Sequence, residues 1–282
     1  MSIARIRSNL PLLPVRTTCR SSRKRVRLAA LKELRLDQTG CTSGLLDHLI
    51  LPSCTELMLK GQFTGETLDQ HGFPVARIHP SSIDHISVTR GVTKAVAMPN
   101  SCILSGPNGD LRLLFPDGTR GDFGAGFFTS FSPISVLDIR ELWVGGETSS
   151  GQPWKPASAD IRGAFGVLTK VEDLTIVGCD TTQFSTALGV NITTDSGILL
   201  PELRRLTIYI GSGDLDVHAL VLCVKARKEN SRPLLEVTLV WQRKATTESI
   251  QEAELLRGFV AEVNHRVGVA LDLSWMGIDC VE

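Results

Sequence analysis

The chain has 282 residues, 42% of them hydrophobic and 21% charged, and its 30 basic and 30 acidic side chains cancel to no net charge. That balance excludes a chain-wide surface for nucleic acid or an anionic membrane. No apolar run approaches the ~18 residues of a membrane-spanning helix, and the composition is too apolar for general disorder, so a folded protein of the cytoplasm or nucleus is expected.

The first 32 residues carry nine basic side chains and no acid. Residues 1–27 read as a basic, disordered N-terminal segment. Ser22-Arg23-Lys24-Arg25-Val26-Arg27 is compatible with a solvated tail, a nuclear import signal or a nucleic-acid patch, and the Arg- and Ser-rich composition also with a mitochondrial presequence. From residue 28 to 282 one pattern recurs: apolar, two of any kind, apolar, one of any kind, apolar. It runs through Leu31/Leu34/Leu36, Cys54/Leu57/Leu59, Ile83/Ile86/Val88, a weak copy at Leu111/Leu113, Ile139/Leu142/Val144, Val171/Leu174/Ile176, Leu203/Leu206/Ile208 and Leu234/Val237/Leu239. Leu271/Leu273 is a partial last copy. The middle positions are separated by 23, 29, 25, 31, 32, 32 and 31 residues. A period of tens of residues is the mark of a solenoid. Apolar residues two apart share one face of a strand, so each copy predicts a short strand.

Helical spacing appears between the strands. Ile161, Ala164, Phe165 and Leu168 lie at i, i+3, i+4 and i+7. Asp214 is a candidate N-cap for a helix bearing Leu215, Leu220, Val221 and Val224, closed by Asn230 and Pro233. Residues 248–267 read as the longest helix, with Leu256, Phe259, Val260 and Val263 on one face. Residues 91–135 are rich in Gly and Pro and predict irregular repeats, a hairpin or a long inserted loop. The expected fold is therefore α/β: a leucine-rich-repeat-like solenoid over 28–282, with parallel strands on one face and helices on the other.

The chemistry-bearing residues do not assemble into a catalytic motif. The seven cysteines (19, 41, 54, 102, 179, 223 and 280) are odd in number, at least 13 residues apart, and contain no Cys-x-x-Cys. Reduced thiols follow, rather than disulfides or zinc. The six histidines lack ligand spacing. Arg120-Gly121-Asp122 and Asp122-Phe123-Gly124 resemble known tripeptides but lack their contexts. Gly211-Ser212-Gly213-Asp214 suits a turn and a cap better than a phosphate site. No cofactor, no metal and no enzymatic activity are expected.

The repeat does place one set of residues together. The residue before each middle apolar position points away from the core: Glu33, Glu56, His85, Asp110, Glu141, Asp173, Arg205 and Glu236. Six of these eight are acidic. Parallel strands about 4.8 Å apart would align them in a stripe. The next outward row runs Arg35, Met58, Ser87, Arg112, Trp143, Thr175, Thr207 and Thr238, and the third includes Tyr209. A recognition face follows: an acidic edge that steers a basic partner, with Trp143 and Tyr209 as anchors. Single exposed acids more often only pair with a neighbouring Arg. The candidate partner-binding residues are Glu33, Glu56, Asp110, Arg112, Glu141, Trp143, Asp173 and Tyr209.

Val-Leu-Asp-Ile-Arg-Glu-Leu-Trp-Val-Gly-Gly (136–146), Val-Glu-Asp-Leu-Thr-Ile-Val-Gly-Cys-Asp (171–180) and residues 200–216 are similar to the divergent leucine-rich repeats of F-box proteins common in mushroom-forming fungi. The resemblance covers residues 28–282. It implies a non-catalytic protein-interaction module, the substrate-recognition half of a ubiquitin-ligase adaptor, whose F-box docks on a Skp-type adaptor. No F-box is found here, since Leu10-Pro11-Leu12-Leu13-Pro14 does not match its start. The Asn ladder of regular repeats is also missing, with only Cys179 at a fitting position. A stand-alone repeat scaffold or a truncated gene product is the alternative expectation.

Overall fold

The structure, a computed structural model, describes residues 3–7, 25–37, 46, 48–60, 85–99, 101–114, 138–146, 154–156, 158–179, 181–189, 198–210, 215–241 and 247–267. The chain is α/β with a large, mostly parallel sheet. It divides into two compact units, one of Met1–Ala95, Asn100–Gly121 and Gly126–Asp138, the other of Val96–Pro99, Asp122–Ala125 and Ile139–Glu282.

The first unit holds β1 (Ile3–Arg7), β2 (Val26–Arg27), β3 (Glu33–Asp37), β4 (Leu49–Ile50) and β5 (Glu56–Lys60). Strand β6 (Lys94–Met98) is divided between the units, and β7 (Ser101–Gly106) and β8 (Gly109–Leu114) return to the first. Strands β1, β3, β5 and β8 are parallel neighbours. Leu34, Leu57 and Leu111 are in register, as are Leu36, Leu59 and Leu113, and all six are buried. Each fully buried leucine contributes roughly 1.5–3 kcal/mol, which fixes the strand register, because a one-residue slip would expose the whole row. Strands β2 and β4 form a separate short parallel ladder.

Two expectations change in this unit, and one of three alternatives is chosen. The segment 1–27 is not wholly disordered: β1 pairs along its full length with β3, and Val26–Arg27 pairs with Leu49–Ile50. In the copy at Ile83/Ile86/Val88 the described part, Ile86 and Val88, is not a strand, and Ile83 lies outside the described residues. Ile86 makes an isolated bridge to Leu51, Ser87–Thr89 is a 3-10 turn, and β8 takes the place beside β5. The Gly/Pro-rich stretch 91–135 contributes a hairpin, β7 antiparallel to β8 around Pro107-Asn108. Its turn closes on Gly109, at φ +121°, where a Cβ would lie 2.0 Å from the Thr55 carbonyl oxygen. Only glycine fits.

The second unit repeats strand and helix more regularly. It runs β9 (Glu141–Gly145), α1 (Ser158–Val167), β10 (Asp173–Val177), α2 (Thr181–Gly189), β11 (Arg205–Ile210), α3 (Val217–Glu229), β12 (Glu236–Trp241), α4 (Thr247–Glu254) and β13 (Glu262–Val267). The five strands are parallel and adjacent in chain order, and each helix touches the next. Parallel neighbours joined through a helix prefer one hand of crossover, which lines the helices along one side. The inward rows Leu142/Leu174/Leu206/Val237/Val263 and Val144/Ile176/Ile208/Leu239 are buried. The helices supply Ile161, Ala164, Phe165, Phe184, Ala187, Leu188, Leu220 and Val224, with the Phe165 and Phe184 rings 6.1 Å apart.

One backbone device recurs before β5, β10, β11 and β12. Glu172 and Asp173 N–H both donate to the Arg140 carbonyl, Arg204 and Arg205 to Glu172, and Leu235 and Glu236 to Arg204, at 2.8–3.2 Å. Thr55 and Glu56 do the same to Lys32 at 2.8 and 3.1 Å. One carbonyl with two lone pairs thus receives two donors from the next strand's approach, and each of these four strands begins in register with the strand before it.

Two helix expectations shift here. The N-cap of α3 is Asp216, whose Oδ1 accepts from Ala219 N–H at 2.9 Å; Asp214 lies outside the described residues. The helix expected over 248–267 ends at Glu254. Leu255–Gly258 tightens to a 3-10 turn and β13 follows, parallel to β12. The apolar spacing of Leu256, Phe259, Val260 and Val263 fits a helical face as well as a turn leading into a strand, and Val263 pairing beside Val237 decided for the strand. The expected copy at Leu271/Leu273, the Arg120–Gly124 run and Gly211–Asp214 lie outside the described residues. No helix among the described residues is long and apolar enough to cross a membrane.

Candidate functional site: the outer strand faces

The outward rows are set by strand register, so their composition can be read directly. In the first unit Glu33, Glu56 and Asp110 align across β3, β5 and β8, with Arg35, Met58 and Arg112 two residues further on. The guanidiniums answer the carboxylates. Arg35 Nε donates to Glu33 and its other end lies 4.0 Å from Glu56 Oε1. Arg112 stands 3.7 Å from Glu56 Oε1 and 3.5 Å from Asp110 Oδ2. Each in-register pair of acids therefore holds one arginine between its members. This ladder brings Glu33, Glu56, Asp110 and Arg112 together as expected, but as a largely compensated network rather than an acidic stripe. His85 is not in the row; it precedes the turn at Ser87–Thr89, and its carbonyl accepts from Leu51 N–H at 2.8 Å.

In the second unit Glu141, Asp173, Arg205, Glu236 and Glu262 are in register, followed by Trp143, Thr175, Thr207, Thr238 and Asn264. Glu141 Oε1 accepts from Trp143 Nε1–H at 2.7 Å. Asp173 is engaged by both ends of the Arg205 guanidinium, and this paired carboxylate raises the Arg205 pKa above its ordinary value. Behind it, Arg140 pairs with Glu172. Glu236 and Glu262 are answered differently. Asn264 Nδ2 donates to Glu236 Oε1 and to Glu262 Oε1, both at 3.0 Å, and Thr238 Oγ1 donates to Glu236 at 2.9 Å. These two carboxylates have neutral donors and no cation within ion-pair distance among the described residues.

A cleft of about 500 Å³ opens at this N-terminal edge of β10–β13, lined by Glu172, Asp173, Arg204, Arg205, Glu236 and Glu262, with Leu235 and Ala261 between them. Leu235 is half exposed. At the other end of the same face the Trp143 and Tyr209 rings are 6.4 Å apart. Trp143 borders a shallow apolar notch with Val96, Met98, Gly145 and Val177. Gly145 has φ +143°, and a Cβ there would lie 1.9 Å from the Val177 carbonyl oxygen, so the close strand exit beside Trp143 depends on it. The structure thus gathers Glu141, Trp143, Asp173 and Tyr209 on one face of the second unit.

Sequence reasoning missed Glu172, Arg204, Glu262 and Asn264. The repeat itself carried their signal. Leu168/Val171/Leu174/Ile176 and Leu200/Leu203/Leu206/Ile208 extend the pattern one apolar position upstream, and Leu256/Val260/Val263/His265 follows it with one added residue. That longer word places a strand at β13 and Glu262 in the acidic row. Among the described residues no group of three His, Cys, Asp or Glu side chains is arranged to hold a metal ion. Three buried thiols have raised pKa values through burial: Cys54, Cys102, and Cys223, which is pushed up to about 11. They are core residues, not nucleophiles. Cys179, the one fitting ladder position, has its Sγ 3.9 Å from the Val144 carbonyl oxygen of the preceding strand.

Comparison of the chain with protein-family models, curated proteins and solved structures finds no match.

Proposed function

We propose that the chain is a non-catalytic protein-binding module, a leucine-rich-repeat-like solenoid that presents its outer strand face to a protein partner. The observation that carries this reading is the in-register outer face of the second unit. It combines an aromatic pair, Trp143 and Tyr209, with a charged cleft at Glu236 and Glu262. Aromatic anchors flanked by charge are what protein interfaces use for affinity and for steering, respectively. The link to ubiquitin ligation rests on the resemblance of the repeats to F-box proteins, in which such a face holds the substrate while a Skp-type adaptor joins the ligase.

The experiment is to mix the purified chain with a purified Skp-type adaptor and follow both by size-exclusion chromatography. Co-elution at one-to-one stoichiometry is the expected outcome for a ligase subunit. Separate elution of a folded chain removes the ubiquitin link and leaves a stand-alone repeat scaffold. For the binding face, Trp143→Ala is expected to weaken capture of any protein partner by more than tenfold, the scale of an interface hot spot. Unchanged capture would remove the face.

A further inference from the structure

We infer that the edge of β13 pairs antiparallel with the β13 edge of a second copy of the chain, about a two-fold axis at Asn264. The contact lies at the end of the sheet and does not rest on the protein-binding reading of its outer face.

Among the described residues β13 is the last strand of the sheet, bonded to β12 on one side only. Its ladder decides which backbone groups point the other way. Glu262 N–H donates to the Leu235 carbonyl at 3.0 Å, so the backbone of Glu262 faces β12. Residues two apart in a strand share that direction, so Asn264 and Arg266 follow it. The N–H and C=O groups of Val263, His265 and Val267 therefore point to the open edge. The apolar layer is open there as well. Ile210, Trp241 and Val267 are in register on the inner side. Ile210 and Trp241 are 6% and 7% exposed, whereas Val267 is 54% exposed.

Charges on an open edge ordinarily keep other strands away. The charges of β13 are instead complementary to themselves. Glu262 and Arg266 are both exposed, on the same face and on either side of Asn264. Glu262 accepts from the neutral Asn264 amide, and neither charge has an ion-pair partner among the described residues. Four residues of one strand hold them roughly 13 Å apart, so they cannot answer each other within the chain. Across a two-fold axis they can. With Asn264 opposite Asn264, each Glu262 stands opposite the other copy's Arg266. The same register sets Val263 opposite His265, whose N–H and C=O groups both face the edge, so the backbone bonds close together with the charges. Moving the axis to Val263 or His265 keeps the backbone bonds but loses both ion pairs. A contact one strand long lies at the low end of interface sizes, below about 1,200 Å², so the association is reversible.

The test is sedimentation velocity on the full chain over a concentration series, where a monomer–dimer equilibrium is expected. Arg266→Glu and Glu262→Arg each set like charges opposite one another. Each is expected to weaken the dimer at least tenfold at an unchanged thermal midpoint. The double variant restores both pairs with their signs exchanged and is expected to return the wild-type affinity. Asn264→Cys sets the new thiol opposite itself, at the Cα separation of about 4.5 Å of a non-hydrogen-bonded pair. It is expected to give a disulfide-linked dimer on mild oxidation that the wild type does not give. A wild-type chain that stays monomeric overturns the inference, and slow amide exchange at Val263 and His265 in that monomer would mean that another strand covers the edge. A dimer indifferent to both single variants also overturns it. Single variants that the double one does not rescue, or an Asn264→Cys chain that does not link, overturn the register.

Discussion

Arg227 is the residue whose environment departs furthest from what its type suggests. Its side chain is fully buried on α3, and its guanidinium donates to the carbonyls of Leu199, Leu200 and Leu203 at 2.9, 3.0 and 3.4 Å. Burial lowers its pKa from the ordinary value. No carboxylate answers it among the described residues; the turn before β11 does, with Leu200 at φ +49° inside it. The planar fork therefore acts as a clamp that fixes the turn to the helix. Arg227→Ala removes those donors from buried carbonyls and is expected to cost about 2–4 kcal/mol, read as a lower urea midpoint with unchanged slope. Arg227→Lys supplies one point donor and should recover only part of the loss. Glycine gives a second contrast at this scale. Gly145→Ala meets the Val177 carbonyl in a backbone region closed to side chains and should cost at least ~2 kcal/mol. Gly166→Ala on α1 meets nothing within 4 Å and should stabilise by about 0.5–1 kcal/mol.

Among the elements, legibility followed the amount of apolar signal. Strands β3, β5, β9, β10, β11 and β12 were all readable, because two leucine-like residues spaced by two leave no other buried face. Helix α1 was readable from Ile161, Ala164 and Phe165. Helix α2 was not, although Thr181, Phe184, Ser185 and Leu188 lie at helical spacing and are buried, because two of the four are polar and the stripe is invisible in a hydropathy pattern. Its approach to α3 is close enough that a Cβ on Gly189 would lie 3.1 Å from Cys223 Cα. The start of α3 was misplaced by two residues because Asp214 and Asp216 are equally good caps by type, and only the geometry chooses. Asp216→Ala is expected to cost about 1 kcal/mol, with the loss seen as faster amide exchange in the first turn of α3.

For the whole molecule, register carried the candidate site further than any motif could. Alternation fixes which side chains face outward, so most of the two outward rows was readable from the sequence; His85 and Ser87 fall outside them, and Glu262 and Asn264 extend them past the expected last strand. Their pairing was not, since it depends on side-chain direction: the same acid is answered by guanidiniums at Glu56 and by the neutral donors Thr238 and Asn264 at Glu236. Both units also bury free thiols, and that gives the protein a common alkaline limit. Cys102 lies in the first unit and Cys223 in the second, both wholly buried, and burial raises both pKa values, Cys223 to about 11. In the unfolded chain these thiols ionise near pH 9, so above that pH the unfolded state holds fewer protons than the folded one. The linkage slope is then negative: stability is fully present below about pH 9 and is lost as pH rises toward 11. For Cys223 the loss amounts to roughly 2–3 kcal/mol across that window. Urea midpoints should therefore fall steadily between pH 9 and 11 in the wild type, and Cys223→Ala, though less stable at pH 7, should fall less steeply. Identical slopes in the two proteins would place the alkaline limit elsewhere than in this thiol.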